Sequence, residues 1–193
     1  MLALPAAFGL AGATGLNATL PLLIVSLLAR LGLIQLAPPF DALTTDVAFW
    51  GLIVLAVVEF AVDKVPALDS VGHAVMLPVA AAAGAILFAS QTGAVTSVDP
   101  GLSVVLSLLA GGTIAAAVHV TRAVVRPVAN LAFLGPFASL AEDAGSTVLA
   151  LAAVLAPIVV PFLLALLVLV AVMLWRRLRA IRSLRTRPDK SLT

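Results

Sequence analysis

Long apolar runs separated by short polar breaks make up most of the chain. A helix needs about 20 largely apolar residues to cross a bilayer, and six runs approach or exceed this length. They cover residues 4–29, 47–62, 74–90, 101–121, 123–138 and 146–175. The pattern therefore predicts an all-α fold: a polytopic transmembrane helical bundle of about six membrane segments.

The first run is interrupted by residues that disfavour a continuous helix, so we expect it to bend or unwind midway. These residues are Gly9, Gly12, Gly15, Asn17 and Pro21. No Lys or Arg precedes Arg30, so the run lacks the positive region of a cleaved signal peptide. It is predicted to stay in the protein as the first span.

The ends of three other runs are less sharply marked. The third run is predicted to follow an N-cap at Asp69 or Ser70. Residues 123–138 hold two prolines, an arginine and an asparagine, which favours a short tilted helix or a re-entrant loop. The last run has 30 residues and can span with a tilt or kink. A capping box from Ser139 to Glu142 offers it an earlier start.

Composition supports a membrane location. Of the 193 residues, 63% are hydrophobic and 10% are charged, whereas about 25% of residues are charged in soluble domains. The chain has no cysteine, which excludes disulfides, Cys-ligated zinc and thiol catalysis. It has no tyrosine either. It has no second basic face, and its one Arg cluster directly follows an apolar run, which argues against nucleic-acid binding. We therefore expect no nucleic-acid partner, no bound metal and no cofactor.

Charge is unevenly divided between the body of the chain and its end. The last 18 residues hold seven of the 11 basic residues and one of the nine acidic ones, so this end carries +6 and the remainder −4. A basic tail is cytoplasmic under the positive-inside rule. The sequence thus predicts a transmembrane domain at 1–175 and a basic cytoplasmic tail at 176–193 that contacts anionic inner-leaflet lipids.

Most ionisable residues of the body fall in two stretches. An ion at mid-membrane costs about 2.5–3.5 kcal/mol, so these groups are expected to pair, to line a wet cavity or to lie near the interface. A position in surface loops is an equal alternative for Asp63, Lys64 and Asp69. The candidate site residues are Asn17; Glu59, Asp63, Lys64, Asp69 and His73 in the first stretch; and His119, Arg122, Arg126, Asn130, Glu142 and Asp143 in the second.

The two stretches also suggest a duplicated organisation. In each half an interrupted helix precedes a segment that ends near two acidic residues. Three segments per half would invert the second half relative to the first, which is common in secondary transporters. Coincidence is the alternative explanation for this faint similarity.

Four motifs carry a resemblance to a known family. They are Gly-Leu-Asn-Ala-x-Leu-Pro-Leu-Leu from Gly15, Val-Glu-Phe-x-x-Asp-Lys-x-Pro-x-x-Asp-Ser from Val58, His-x-x-Arg-x-x-x-Arg-x-x-x-Asn from His119, and Ser-Leu-Ala-Glu-Asp from Ser139. Together they resemble an uncharacterised family of small bacterial integral membrane proteins, domain of unknown function 4126. The resemblance covers most of the chain except the tail and implies a multi-pass helical domain in the bacterial inner membrane. The chain departs from the family pattern at Leu77-Pro78, where an Arg-Pro is expected.

These features favour a small transporter or channel-like protein that binds an ion or small polar solute at an intramembrane polar cluster. The arginines would balance the carboxylates or hold an anion, and a histidine would tune protonation. The interrupted helices near Asn17 and Asn130 would expose backbone groups to the site. The cation or proton site would be Glu59 and Asp63, with Glu142 and Asp143 as second-half counterparts.

Two other classes of function stay open. One is an intramembrane enzyme or a binding protein for lipid phosphates, in which Arg122 and Arg126 would hold the phosphate. The sequence contains neither a His-Glu-x-x-His nor a Gly-x-Ser-x-Gly motif, which favours a protein that is not an enzyme. The other is a non-catalytic membrane assembly protein. Its Gly- and Ala-rich helices would allow homo-oligomers to pack closely.

Overall fold

The computed structural model describes residues 3–36, 38–64, 66–91, 100–131 and 135–185. Within these ranges the chain forms eight α-helical segments and no strand. They are α1 (Ala3–Leu16), α2 (Thr19–Arg30), α3 (Asp46–Lys64), α4 (Pro66–Ser90), α5 (Pro100–Ser107), α6 (Thr113–Leu131), α7 (Gly135–Leu155) and α8 (Val160–Arg185). A π-helical turn, Leu108–Gly112, joins α5 to α6 as one continuous helix. The all-α prediction is confirmed for the described part of the chain.

Helix α1 lies at the centre of the bundle, where it packs against α4, α6 and α7. Its buried residues are mostly Ala and Gly, and small side chains let neighbouring helix backbones approach closely. A Cβ atom at Gly15 would lie 2.6 Å from the carbonyl oxygen of Ala115 on α6. The surrounding apolar core includes Leu10, Leu87 and Leu149.

The first apolar run is divided into α1 and α2, which confirms the predicted interruption. The two helices have 14 and 12 residues, so the break at Asn17 and Ala18 falls near the middle of the run. Helix α2 ends in a Schellman motif. In it the N–H of Gly32 donates to the carbonyl of Ala29, and the N–H of Leu33 donates to that of Leu28. Gly32 has a φ of +71°, which explains the glycine at this turn.

The N-cap predicted for the third run is wrong. Helix α4 begins at Pro66, so Asp69 and Ser70 lie inside the helix. Proline suits a first helical position because its φ is already helical and its missing N–H would have no partner there.

The second half also departs from the predicted boundaries. Residues 123–138 do not form a separate segment, because α6 continues to Leu131 and α7 begins at Gly135. The last run is not one helix: the chain breaks at Ala156, and Pro157 starts a 3₁₀ turn before α8. Proline lacks the N–H that would continue the α-helix. Helix α8 then extends through Arg185, and the division into a transmembrane domain at 1–175 and a basic tail at 176–193 stays a prediction.

Three described helical stretches are long and apolar enough to cross a membrane: Val104–Val124, Gly135–Leu155 and Pro157–Arg177. A helix of 21 residues spans about 31 Å, which matches a hydrocarbon core of about 30 Å. Large apolar side chains such as Trp50 and Phe162 are exposed around the bundle, as expected for a surface that faces lipid rather than water. The count of six membrane segments and the inverted repeat stay predictions.

Helix α4 and the π-helical turn touch at two glycines. A Cβ atom at Gly84 would lie 2.7 Å from the carbonyl oxygen of Gly111, and one at Gly111 would lie 2.5 Å from that of Gly84. Both contacts involve backbone atoms, which cannot rotate away as a flexible side chain can. The helices therefore approach this closely only because both residues are glycine.

We expect Gly84→Ala to lower the free energy of unfolding by about 1–3 kcal/mol, because overpacking forces the two helix backbones apart. Gly51→Ala on α3 is the matched control, since a Cβ atom there would meet no atom within 4 Å. Alanine also has the higher helix propensity, so this control is expected to unfold at an equal or higher temperature. Thermal unfolding of the detergent-solubilised protein, followed by tryptophan fluorescence, measures both. Equal midpoints for the two variants would contradict the close backbone contact.

Candidate functional site

The carboxylate of Glu59 lies at the N-terminus of α2. Its Oε1 accepts a hydrogen bond from the N–H of Ala18 at 2.9 Å, and its Oε2 accepts from the N–H and the hydroxyl of Thr19 at 3.0 and 2.6 Å. A helix N-terminus has unpaired N–H groups and the positive end of the helix dipole, so it stabilises an anion. Glu59 is thus a buried acid whose oxygens bind the start of the second half-helix.

Asn17 uses both ends of its amide at the same break. Its Oδ1 accepts from the N–H groups of Thr19 and Leu20 at 3.1 and 2.8 Å, and its Nδ2 donates to Oδ1 of Asp143 on α7 at 3.0 Å. Pro21, the next residue, has no N–H to satisfy. Glu59 and Asn17 together therefore satisfy the donors that the first turn of α2 leaves without intrahelical partners.

Arg122 on α6 forms an ion pair on each of two sides. Its Nε donates to Oε2 of Glu142 on α7 at 2.6 Å, and its Nη2 donates to Oδ2 of Asp63 on α3. The side chains of Arg122, Asp63 and Glu142 are 3%, 7% and 19% exposed. Buried charges are tolerated only when they are compensated and hydrogen-bonded, and here each charge faces its opposite. The bridge links α3, α6 and α7.

These contacts form one connected set across both halves of the chain. Glu59 and Asp63 are one turn apart on α3, and Glu142 and Asp143 are adjacent on α7. The cap of α2 and the Arg122 bridge therefore use the same two helices. His119 is buried one turn before Arg122 on α6. The set is called the polar network and comprises Asn17, Thr19, Glu59, Asp63, Arg122, Glu142 and Asp143.

Two cavities adjoin the polar network. One of about 260 Å³ lies between α6, α7 and α8 and is called the α6–α8 groove. The other, of about 220 Å³, lies between α2 and α3 beside Asn17 and Phe60. Most of the groove wall is apolar, with a charged end. Its lining residues are Leu16, Ala117, Val118, Thr121, Arg122, Glu142, Leu167, Val168, Val170 and Ala171.

The predicted site residues fall into two groups. Asn17, Glu59, Asp63, Arg122, Glu142 and Asp143 meet in the polar network, and His119 is buried beside it. The side chains of Lys64, Asp69, His73, Arg126 and Asn130 lie outside the described part of the structure, so their roles stay predictions. Within the described residues, no group of three or more His, Asp or Glu side chains is arranged to hold a metal ion.

Sequence reasoning missed two polar contributors. The hydroxyl of Thr19 donates to Glu59, and Oγ of Ser146 on α7 donates to the carbonyl oxygen of Ala13 on α1 at 2.9 Å. Asn17 and Thr19 belong to the residue types that cap helix starts, so their spacing at a predicted break was an available signal. Ser146 had no local signal, because its acceptor depends on which helices pack together.

The fold and the polar network define an all-helical protein with helices able to cross a membrane and a buried, charged centre. The chain belongs to the family described as "Domain of unknown function (DUF4126)", whose model matches residues 4–177. This confirms the resemblance drawn from the four motifs. The match includes every residue of the polar network and most of α8. Comparison with curated proteins and with solved structures gives no match.

Replacing Arg122 by methionine is expected to destabilise the protein by about 3–5 kcal/mol, because two buried carboxylates lose their compensating charge. Arg30→Met is the matched control. Arg30 also pairs with an aspartate, Asp46, at 2.6 Å, but the two side chains are 30% and 78% exposed. An exposed pair contributes about 0–1 kcal/mol. Denaturant unfolding in detergent measures the free energy of unfolding of both variants. Similar losses of stability in the two would contradict a buried role for Arg122.

Glu59→Ala is expected to speed hydrogen exchange at the backbone N–H groups of Ala18 and Thr19, because their acceptor is removed. Glu59→Gln keeps one acceptor oxygen and should have a smaller effect. The N–H groups of Gly32 and Leu33 at the opposite end of α2 are the internal control and should be unchanged. Hydrogen exchange measured by mass spectrometry after peptic digestion resolves the two ends. Uniform acceleration along α2 would contradict a local capping role.

Proposed function

We propose that this protein is a small transporter or channel-like membrane protein that binds an ion or small polar solute at the polar network. It would be a multi-pass protein of a bacterial inner membrane, with about six membrane segments and the Arg-rich end of α8 on the cytoplasmic side. The excess of basic residues after Trp175 supports this orientation under the positive-inside rule. Arg179 also stacks on Trp175, 3.8 Å from the ring centroid, an arrangement suited to the membrane interface.

One observation carries the proposal: the Arg122–Glu142 ion pair lines the α6–α8 groove. Buried ion pairs contribute little net stability compared with apolar side chains of similar volume. Ionisable groups deep in a helical membrane protein therefore mark solute or ion pathways by default. A charged pair beside open space can exchange one partner for a solute, whereas a fully enclosed pair cannot.

The broken first helix supports the same function. Discontinuous helices form the binding sites of many secondary transporters, where the N-terminus of a half-helix faces an anionic group. In this protein the carboxylate of Glu59 already occupies that position at α2. Glu59 would then be a fixed anion that stabilises the break between α1 and α2. The site that exchanges with a solute would lie at Arg122 and Glu142. This shifts the expected solute contact from Glu59 to Glu142.

The inverted repeat has partial support in the pairing of the polar residues. Asp63 from the first half and Glu142 from the second both bind Arg122. A pseudo-symmetric site at the interface of two repeats would bring the acidic ends of both halves together in this way. We retain three segments per half as part of the proposal.

Glu142→Gln is expected to lower solute flux by about tenfold, which corresponds to about 1.4 kcal/mol in the barrier. Without the glutamate charge, Arg122 loses the group with which a solute would alternate. Arg122 keeps its bond to Asp63, so the variant should still fold. The measurement is flux into proteoliposomes for a panel of alkali cations, protons, chloride, short carboxylates and amino acids.

Asp46→Asn is the matched control for this experiment, because it removes an acid from the exposed Arg30 ion pair. It should leave flux unchanged. No flux of any solute by the wild-type protein would overturn the transport proposal, and equal flux in wild type and Glu142→Gln would overturn the assignment of the solute site to Glu142. No flux by the wild-type protein, together with reduced stability of Glu142→Gln, would favour the non-catalytic assembly hypothesis instead.

A further inference from the structure

The α6–α8 groove combines a charged end with apolar walls. Arg122 and Glu142 form the charged end, and α8 contributes one apolar wall. On that wall Val168 and Val170 are 61% and 44% exposed, so the groove opens on the outer surface of the bundle. A ligand gains from such walls only through an apolar part of its own. The groove is therefore better suited to a molecule with a polar head and an apolar body than to a bare ion.

Arg122 has donors to offer such a head. Its hydrogen bonds to Glu142 and Asp63 use Nε and Nη2, and among the described residues the Nη1 hydrogens have no protein acceptor. A guanidinium presents five N–H donors in a fixed plane that matches carboxylate and phosphate oxygens. The two ion pairs hold this plane in place, so an oxyanion entering the groove meets a cation that is already positioned.

We propose that the α6–α8 groove binds an amphipathic anion, with an oxyanion head at Nη1 of Arg122 and an apolar chain against α8. This inference rests on the proposed function, because it names the solute class for the same site. A volume of about 260 Å³ equals that of about nine water molecules at about 30 Å³ each. The head and the first part of the chain fit inside, and the rest of the chain extends along the exposed face of α8. Fatty carboxylates and phosphate monoesters of single-chain lipids share this chemistry.

The negative charge of Glu142 affects how tightly an anion binds in the α6–α8 groove. Its Oε2 lies 2.6 Å from Nε of Arg122, so an anionic head at the same guanidinium is repelled by it. Glu142→Gln removes that repulsion and should tighten binding of an anion. A site for a cation or a proton would instead lose affinity with the same substitution.

The test uses the full chain in a nonionic detergent and counts bound molecules by native mass spectrometry. Decanoate and decyl phosphate are the two anionic probes, and decanol and decyltrimethylammonium are the neutral and cationic probes of equal chain length.

Ala171→Trp fills the groove from the α8 wall. Ala165→Trp is the matched control, because it makes the same change at an exposed position of α8 outside the groove lining. At 100° per residue the two alanines lie on different helix faces.

We expect one molecule of at least one anionic probe to bind saturably to each protein. Ala171→Trp should weaken binding by about tenfold, Ala165→Trp should leave it unchanged, and Glu142→Gln should tighten it by about tenfold. Binding of decanoate alone would assign fatty carboxylates, and binding of decyl phosphate alone would assign lipid phosphates. Equal binding of decanol, no loss in Ala171→Trp, or weaker binding in Glu142→Gln would each overturn the inference.

The two proposals fail separately in these experiments. If Glu142-dependent flux of a small polar solute occurs without saturable binding of either anionic probe, the amphiphile inference is wrong and the transport proposal survives. If an anionic probe binds as expected but no solute or amphiphile crosses the proteoliposome membrane, the transport proposal is wrong and the ligand assignment survives.

Discussion

The structure depends on satisfying the backbone N–H groups at the break between α1 and α2. A helix interrupted inside an apolar bundle leaves donors that no water can reach, and each would be costly if left unpaired. Glu59 on α3 and Asn17 at the break accept all of them. Because Asn17 also binds Asp143 on α7, the same requirement positions both neighbouring helices. Their next acidic residues, Asp63 and Glu142, then lie on either side of Arg122.

This arrangement separates two kinds of acid. Glu59 binds three donors of the break, so its charge is committed to the fold. Glu142 is more exposed, adjoins a cavity and shares Arg122 with Asp63, and under the proposed function it is the acid that would exchange with a solute. An anion bound at this end of the groove would alter the Arg122 bridge without disturbing the cap of α2. The cap of α2 and the proposed solute site are thus adjacent but use different carboxylates.

Close backbone packing holds together the helices around α1. Small residues let α1, α4 and α6 approach each other closely, most of all where Gly84 faces Gly111. Such contacts supply van der Waals attraction in a lipid environment, where burial of apolar surface contributes little. Helix α8 packs less extensively against the bundle than α1 does. Only 6% of the residues in its apolar stretch are buried. A wall that is held loosely can accommodate a ligand more readily than the packed centre can.

The sequence alone predicted the all-α class, the break in the first helix and the family. It also identified six of the seven residues that meet in the polar network, all except Thr19. It did so because hydrophobic run length and the placement of Pro, Gly and ionisable residues are local properties of the chain. The predicted boundaries near 123–138 and 146–175 were wrong. A single proline does not reveal whether a membrane helix will continue or end. Helix α6 continues through Pro127, whereas α7 ends before Pro157. Only the tertiary structure decided that Glu59 caps α2, that Arg122 joins Asp63 to Glu142, and that a groove opens beside this bridge. Those features depend on which helix faces pack together, and contacts between residues 20 to 59 positions apart are not encoded in local pattern.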